Sequence, residues 1–201
     1  MRETKQSKAK ELAVKNYEEQ KELLKQQGYT EENATMSVQK IYLMMLVVPA
    51  PIIFIFWNIY AYVWNVKWGA IPFQILTAHL ISVPVHELLH GLGWSLFCKN
   101  GFKSIRFGMI WASLTPYCNC KEPLKFHQYL IGTLLPLTML GLLPSIIGII
   151  FGNYNIFLFG ILGIIAAGGD MAICLGINKY KKALFLDHPT ECGYIAFLLP
   201  Y

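Results

Sequence analysis

The chain has 201 residues, 55% of them hydrophobic and 14% charged, with a mean hydropathy of +0.42. That balance excludes an ordinary soluble domain. The formal charge of +5 does not signal a nucleic-acid partner, because the basic residues of the apolar part fall in short clusters between uncharged runs and form no continuous face.

Residues 1–40 hold 8 of the 17 Lys and Arg and 7 of the 12 Asp and Glu, so this first fifth reads as a charged, cytoplasmic helical segment. Residues 3–27 favour helix by propensity, with an apolar stripe at Ala13, Tyr17 and Leu24 and a stop at Gly28. Thr30, followed by Glu31 and Glu32, predicts the N-cap of a second helix that continues into the first apolar run. No secretory signal peptide is expected, since that run begins only at Ile41.

Four runs, 41–63, 71–98, 128–151 and 156–178, reach the length of about 20 apolar residues that a helix needs to cross a bilayer. The link between the first two holds Lys67. Residues 99–127 carry Lys99, Lys103, Arg106, Lys121 and Lys125, the link at Asn153 has no basic residue, and the tail 179–201 opens with Lys179, Lys181 and Lys182. This asymmetry orients both termini toward the cytoplasm. Between the second and third spans, Ile105, Phe107 and Met109 alternate with Ser104, Arg106 and Gly108, predicting a membrane-boundary β-hairpin over about 102–120. Pro116 restricts its strand to an edge or a bulge. The expected architecture is an α-helical integral membrane protein with a transmembrane domain over 41–178.

Ionisable groups at membrane depth cost at least ~2.5 kcal/mol each, and the four runs contain two formally charged residues, Glu87 and Asp170. The first stands in His86-Glu87-Leu88-Leu89-His90. Two histidines at i and i+4 project from one helical face, where both imidazoles reach a single Zn²⁺. The glutamate between them is placed to take a proton from a water on the metal and pass it to a leaving amine. His-Glu-x-x-His is the zincin pattern. A catalytic zinc takes a third protein ligand and keeps one open position. The residue six after His90 is Leu96, which excludes the metzincin set, although Gly93 matches it. Asp170 is the better candidate. His90 lies nine residues before Lys99 and Asp170 nine before Lys179, which puts both roughly 13 Å inside the same membrane face at 1.5 Å per residue. Gly168 and Gly169 are expected to let its helix approach closely enough to share the metal.

Other residues fit less well. His79 is two turns before His86, about 10 Å away along the axis, and reads as a hydrogen-bonded group or the lining of an access path. Cys174, one turn past Asp170, reads as a packed thiol or an alternative ligand. Asp187, His188 and Glu191 belong to the tail, where solvation is expected and a return to the active site is the alternative. Pro84 is expected to bend the second span. Five cysteines, Cys98, Cys118, Cys120, Cys174 and Cys192, are an odd count without a C-x-x-C pair, so reduced thiols facing a reducing compartment are expected.

From residue 71 to 178 the chain resembles the site-2-protease-like intramembrane zincins, and more closely a small bacterial family of membrane proteins described as putative zincin peptidases. The resemblance rests on the His86–His90 helix, the adjoining hairpin, an intervening helix and a helix with an aspartate. It implies one Zn²⁺ per chain held by His86, His90 and Asp170, with Glu87 as general base. In site-2 proteases the aspartate stands in Leu-Asp-Gly behind an Asn-Pro segment. Here it follows two glycines without that segment, and Asn119 is the residue available to stabilise the transition state. The hairpin of that superfamily offers an edge to an unwound substrate, which implies substrate binding at Thr115, Pro116, Tyr117 and Asn119. The expected function is a multi-pass, cell-membrane zinc endopeptidase acting on membrane proteins or membrane-tethered peptides. The competing expectation is a non-catalytic metal-binding or transport protein in the lipid bilayer, for which Glu87 has no use.

Overall fold

The structure, a computed structural model, describes residues 2–66, 70–110, 115–191 and 193–199. Lys67, Leu114 and Cys192 lie outside them. Helix α1 (Arg2–Gln26) forms as its propensity predicts. Its stripe is a packing face, with Tyr17 and Leu24 buried against Leu186, Ile195 and Phe197 of the C-terminal strands.

Thr30 does not cap a helix. Thr30–Asn33 is strand β1, paired antiparallel with a C-terminal strand from Thr30↔Leu198 to Asn33↔Ile195. The local capping signal yields to a ladder formed 168 residues away in sequence, where the Thr30 hydroxyl also donates to the Leu198 carbonyl. The helix begins at Ser37 instead, whose hydroxyl accepts from the Lys40 amide at 3.3 Å. Helices α2 (Val38–Val47) and α3 (Ala50–Trp64) follow around Pro49.

Among the described residues three helices are long and apolar enough to cross a membrane: Gln39–Trp64, α4 (Phe73–Ser95) and Phe126–Phe151. Helix α4 runs as one element through Pro84. The third consists of α5 (Phe126–Pro136), a π-helical stretch over Leu137–Leu142, and α6 (Leu143–Phe151). The wider π turn lies between Pro136 and Pro144, each of which lacks the amide that a regular i→i−4 ladder requires. The fourth expected span is not a single helix. It divides into α7 (Tyr154–Ala166) and α8 (Gly168–Ile177), bent by 47°.

A 3₁₀ turn, Gly101–Ser104, leads into strands β2 (Ile105–Ile110) and β3 (Thr115–Cys120), paired antiparallel from Ile105↔Cys120 to Ile110↔Thr115. Strands β4 (Leu124–Lys125), β5 (Leu184–Asp187) and β6 (Tyr194–Leu198) complete a second sheet with the order β1-β6-β5-β4. The C-terminal segment is therefore not a solvated tail. Its uninterrupted apolar runs are explained by cover on both faces. Leu186, Ile195 and Phe197 face α1, whereas Phe185, Tyr194 and Ala196 join Trp94, Tyr129 and Ile177 at the ends of α4, α5 and α8.

Candidate metal centre

His86 and His90 project from one face of α4, with ring centroids 4.9 Å apart. Asp170 is the third residue of α8. The break at Ala167 starts a new helix just before it and sets the carboxylate in a first turn, where the helix dipole favours negative charge. The aspartate spans both imidazoles: Oδ2 lies 3.1 Å from His86 Nε2 and Oδ1 lies 3.3 Å from His90 Nε2. One ligand atom from each residue fits within 4.8 Å of the other two, and this is the metal-capable group found among the described residues.

The supporting contacts orient the site. His90 Nδ1 donates to the Gly132 carbonyl at 2.9 Å, which orients the ring and turns Nε2 toward Asp170. That carbonyl can approach because Gly93 and Gly132 meet where α4 crosses α5; a Cβ on Gly93 would lie 2.6 Å from the Gly132 Cα. The ring of His90 stacks on Trp94, Trp94 on Tyr129 and Tyr129 on Phe185, at 5.2, 5.4 and 5.4 Å between centroids. A ladder of aromatic rings thus ties His90 to the C-terminal sheet. Gly168 and Gly169 do allow a close approach, but to α2, where they lie against Met45 and Ile41, and not to α4 as their position suggests.

Glu87 lines a cavity of about 680 Å³ together with His86, His90, Asp170, the hairpin and the loop from Asp187 to Gly193. The backbone amide of Cys118 donates to its carboxylate. Lys121 N donates to Ser104 O, so alternation turns the backbone of Cys118 and Cys120 away from β2. Pro116 shares that outer edge, where its missing N–H costs no ladder bond. Thr115, Pro116, Tyr117 and Asn119 all line the cavity. Thr115 Oγ1 is 3.2 Å from the Tyr42 hydroxyl. The Asn119 side-chain amide donates to the His188 carbonyl at 3.2 Å, so it is committed to the C-terminal loop.

Two residues carry more of this region than their sequence context suggests. Arg106 Nη2 donates to the Tyr117 hydroxyl at 2.9 Å and to the Pro189 carbonyl at 2.8 Å, latching the C-terminal loop to the hairpin. Its alternation with Ile105 and Phe107 shows which face it occupies but not what it holds. Asp187 accepts from Cys120 N at 2.8 Å and from the Tyr129 hydroxyl at 2.5 Å. Burial pushes its carboxyl up to about 6 against the pull of those two donors. Asp187, His188 and Glu191 return to the cavity without joining the ligand group, and Cys174 on α8 does not join that group either. His188 Nδ1 accepts from the Glu191 amide at 3.0 Å. His79 stays apart, edge-on to Phe159 with ring centroids 6.0 Å apart.

A family model described as "Putative zincin peptidase" matches residues 79–185, more than half of the chain. The chain belongs to this zincin family. The match spans α4 from residue 79 on, the hairpin, the third long helix, α7, α8 and the start of β5, and so contains His86, Glu87, His90 and Asp170. No curated protein and no solved structure matches the chain. Membership identifies a zinc metallopeptidase at the level of the family. The donor set agrees, since two imidazoles and a carboxylate are the ligands that zinc takes when one position stays open.

Proposed function

We propose that the protein is a membrane-embedded, site-2-protease-like zinc endopeptidase whose substrates are membrane proteins or membrane-tethered peptides. His86, His90 and Asp170 would hold one Zn²⁺, and Glu87 is the general base. The observation that carries this reading is the convergence of three groups of metal-ligand type: the Asp170 oxygens lie 3.1 Å from His86 Nε2 and 3.3 Å from His90 Nε2, and the Gly132 carbonyl orients the His90 ring from its other side. A positive charge between the rings and the carboxylate, a metal ion or a proton on an imidazole, makes this arrangement favourable.

Zinc, when bound, polarises a peptide carbonyl and lowers the pKa of water toward ~7. Glu87 takes the proton of the attacking water on a carboxylate oxygen and delivers it to the amine that leaves. The Cys118 amide holds that carboxylate in place. Strand β3 aligns an extended substrate through Thr115, Pro116 and Tyr117, with Asn119 positioning the C-terminal loop that borders the same cavity. Both termini face the cytoplasm in this reading; the pairing of β1 with β6 in one sheet supports their lying on the same side, and the distribution of Lys and Arg supports the cytoplasmic side.

Metal analysis and peptide cleavage test it together. Wild-type protein in detergent should carry about one zinc per chain and cleave an unwound transmembrane peptide, and His86→Ala should lose both. Equal zinc in wild type, His86→Ala and His90→Ala would overturn the site. Zinc binding with no hydrolysis of any membrane peptide tried would favour a non-catalytic metal protein. For topology, single cysteines near Lys67 and Asn153 should react with an impermeant reagent on intact cells, whereas cysteines in the hairpin should not.

A further inference from the structure

Cys98 and Cys120 are 22 residues apart, a spacing that suggests no pairing, yet their sulfurs are 3.4 Å apart. Cys98 follows the end of α4, and Cys120 is the last residue of β3. The two sulfurs are unequal. Cys98 is half-buried, whereas Cys120 is 1% exposed and lies with its sulfur 3.4 Å from the Glu122 carbonyl. We propose that Cys98 and Cys120 are a thiol–disulfide pair, with Cys98 as the attacking sulfur and Cys120 as the resolving one, oxidised by low-molecular-weight disulfides. The contact needs to close only to the ~2.05 Å of a sulfur–sulfur bond.

The electrostatics agree with this order. The hydrogen bond from Cys120 holds the Cys98 thiol below its ordinary range, with the Ser104 side chain adding to the effect. The same bond, together with burial, pushes Cys120 far upward. The more exposed sulfur is therefore the better thiolate, and the buried one waits as the thiol. In the first step the Cys98 thiolate attacks one sulfur of RSSR, and RS⁻ leaves and takes up a proton. In the second, Cys120 loses its proton and attacks the Cys98 sulfur, expelling the second RS⁻, which is protonated in turn. The balance is two protein thiols and one RSSR giving one intrachain disulfide and two RSH, a two-electron oxidation of the protein.

The bond would join the end of the helix that carries His86, Glu87 and His90 to the strand whose Cys118 amide meets Glu87 and whose Cys120 amide meets Asp187. The proposal does not depend on peptidase activity or on bound metal. It is tested by equilibrating the full-length protein in detergent with reduced and oxidised glutathione at graded ratios, quenching with an alkylating reagent and mapping the peptides by mass spectrometry. The expected result is one cross-linked Cys98–Cys120 peptide, with both thiols lost together and dithiothreitol restoring both. Cys120→Ser should leave Cys98 as a persistent glutathione adduct, while Cys98→Ser should leave Cys120 unmodified. Alkylation of both thiols after the most oxidising buffer would overturn the pair, as would a cross-link to Cys118 or Cys174.

Discussion

Asp170 and Asp187 both draw distant parts of the chain together, by opposite chemistry. Asp170, on the broken fourth helical unit, meets two imidazole nitrogens of α4, one on each oxygen. Asp187, at the end of β5, meets donors only, the Cys120 amide and the Tyr129 hydroxyl. The second arrangement is complete as it stands. The first sets three groups that can each ligate a metal around one point, where a cation would fit between them. One carboxylate therefore belongs to the candidate metal site, and the other is a structural clasp at its rim.

The largest expected difference between them lies in metal content. Asp170→Ala should drop zinc from about one per chain to none and abolish cleavage, whereas Asp187→Ala should keep its zinc. Elemental analysis of the two purified variants reads this directly. Zinc loss in Asp187→Ala with retention in Asp170→Ala would reverse the assignment.

Next in size is Glu87→Gln. The amide keeps the shape of the side chain and its contact with the Cys118 amide but cannot accept the proton, so turnover should fall by about 10²–10⁴-fold while zinc stays bound. Parallel metal and cleavage assays check it, and wild-type turnover in the variant would remove Glu87 from the mechanism.

The two regions also differ in how far the sequence reveals them. His86 and His90 are legible because helical periodicity fixes which residues share a face, and Asp170 because a charge in an otherwise uncharged apolar run requires a partner. The hairpin is legible from its alternation, and Pro116 on its outer edge fits the rule that restricts it there. The C-terminal sheet is hidden. Its strands are short apolar runs whose alternation disappears when both faces are covered, and β1 reads locally as a helix cap because its partner lies at the other end of the chain. The roles of Gly93 and Gly132 are hidden for a related reason: the histidine's acceptor is a backbone carbonyl, which no side-chain pattern displays. Even where the two glycines before Asp170 signal close packing, they do not say against which helix.

A smaller effect than loss of chemistry is expected from opening the clasp. Asp187→Ala leaves the Cys120 amide and the Tyr129 hydroxyl buried without their acceptor, at a cost of about 1–3 kcal/mol each at most. Thermal unfolding in detergent should show the loss, and hydrogen exchange should show it concentrated at β3, β5 and β6 with α4 protected. Uniform loss across the chain would mean that Asp187 does not act locally.

The finest separation is in pH dependence. The Asp187 carboxyl rises from 3.8 to about 6 on folding, because burial penalises its charged form. Between those values the folded chain binds more protons at this site than the unfolded chain does. Stability from this group is thus fully present below about 4, declines as pH rises toward 6 and levels off above it, with a slope of at most about 1.4 kcal/mol per unit. The proposed metal site should work in the opposite direction, since protons compete with zinc for its imidazoles and lower pH weakens binding. The two contributions separate in a difference curve, wild type minus Asp187→Asn, measured with saturating zinc between pH 4 and 7.5. Asparagine has no charge to bury, so the difference should fall with rising pH and then flatten above about 6. A difference that rises with pH would show that the carboxylate form, and not the acid, is the one the fold prefers at the clasp.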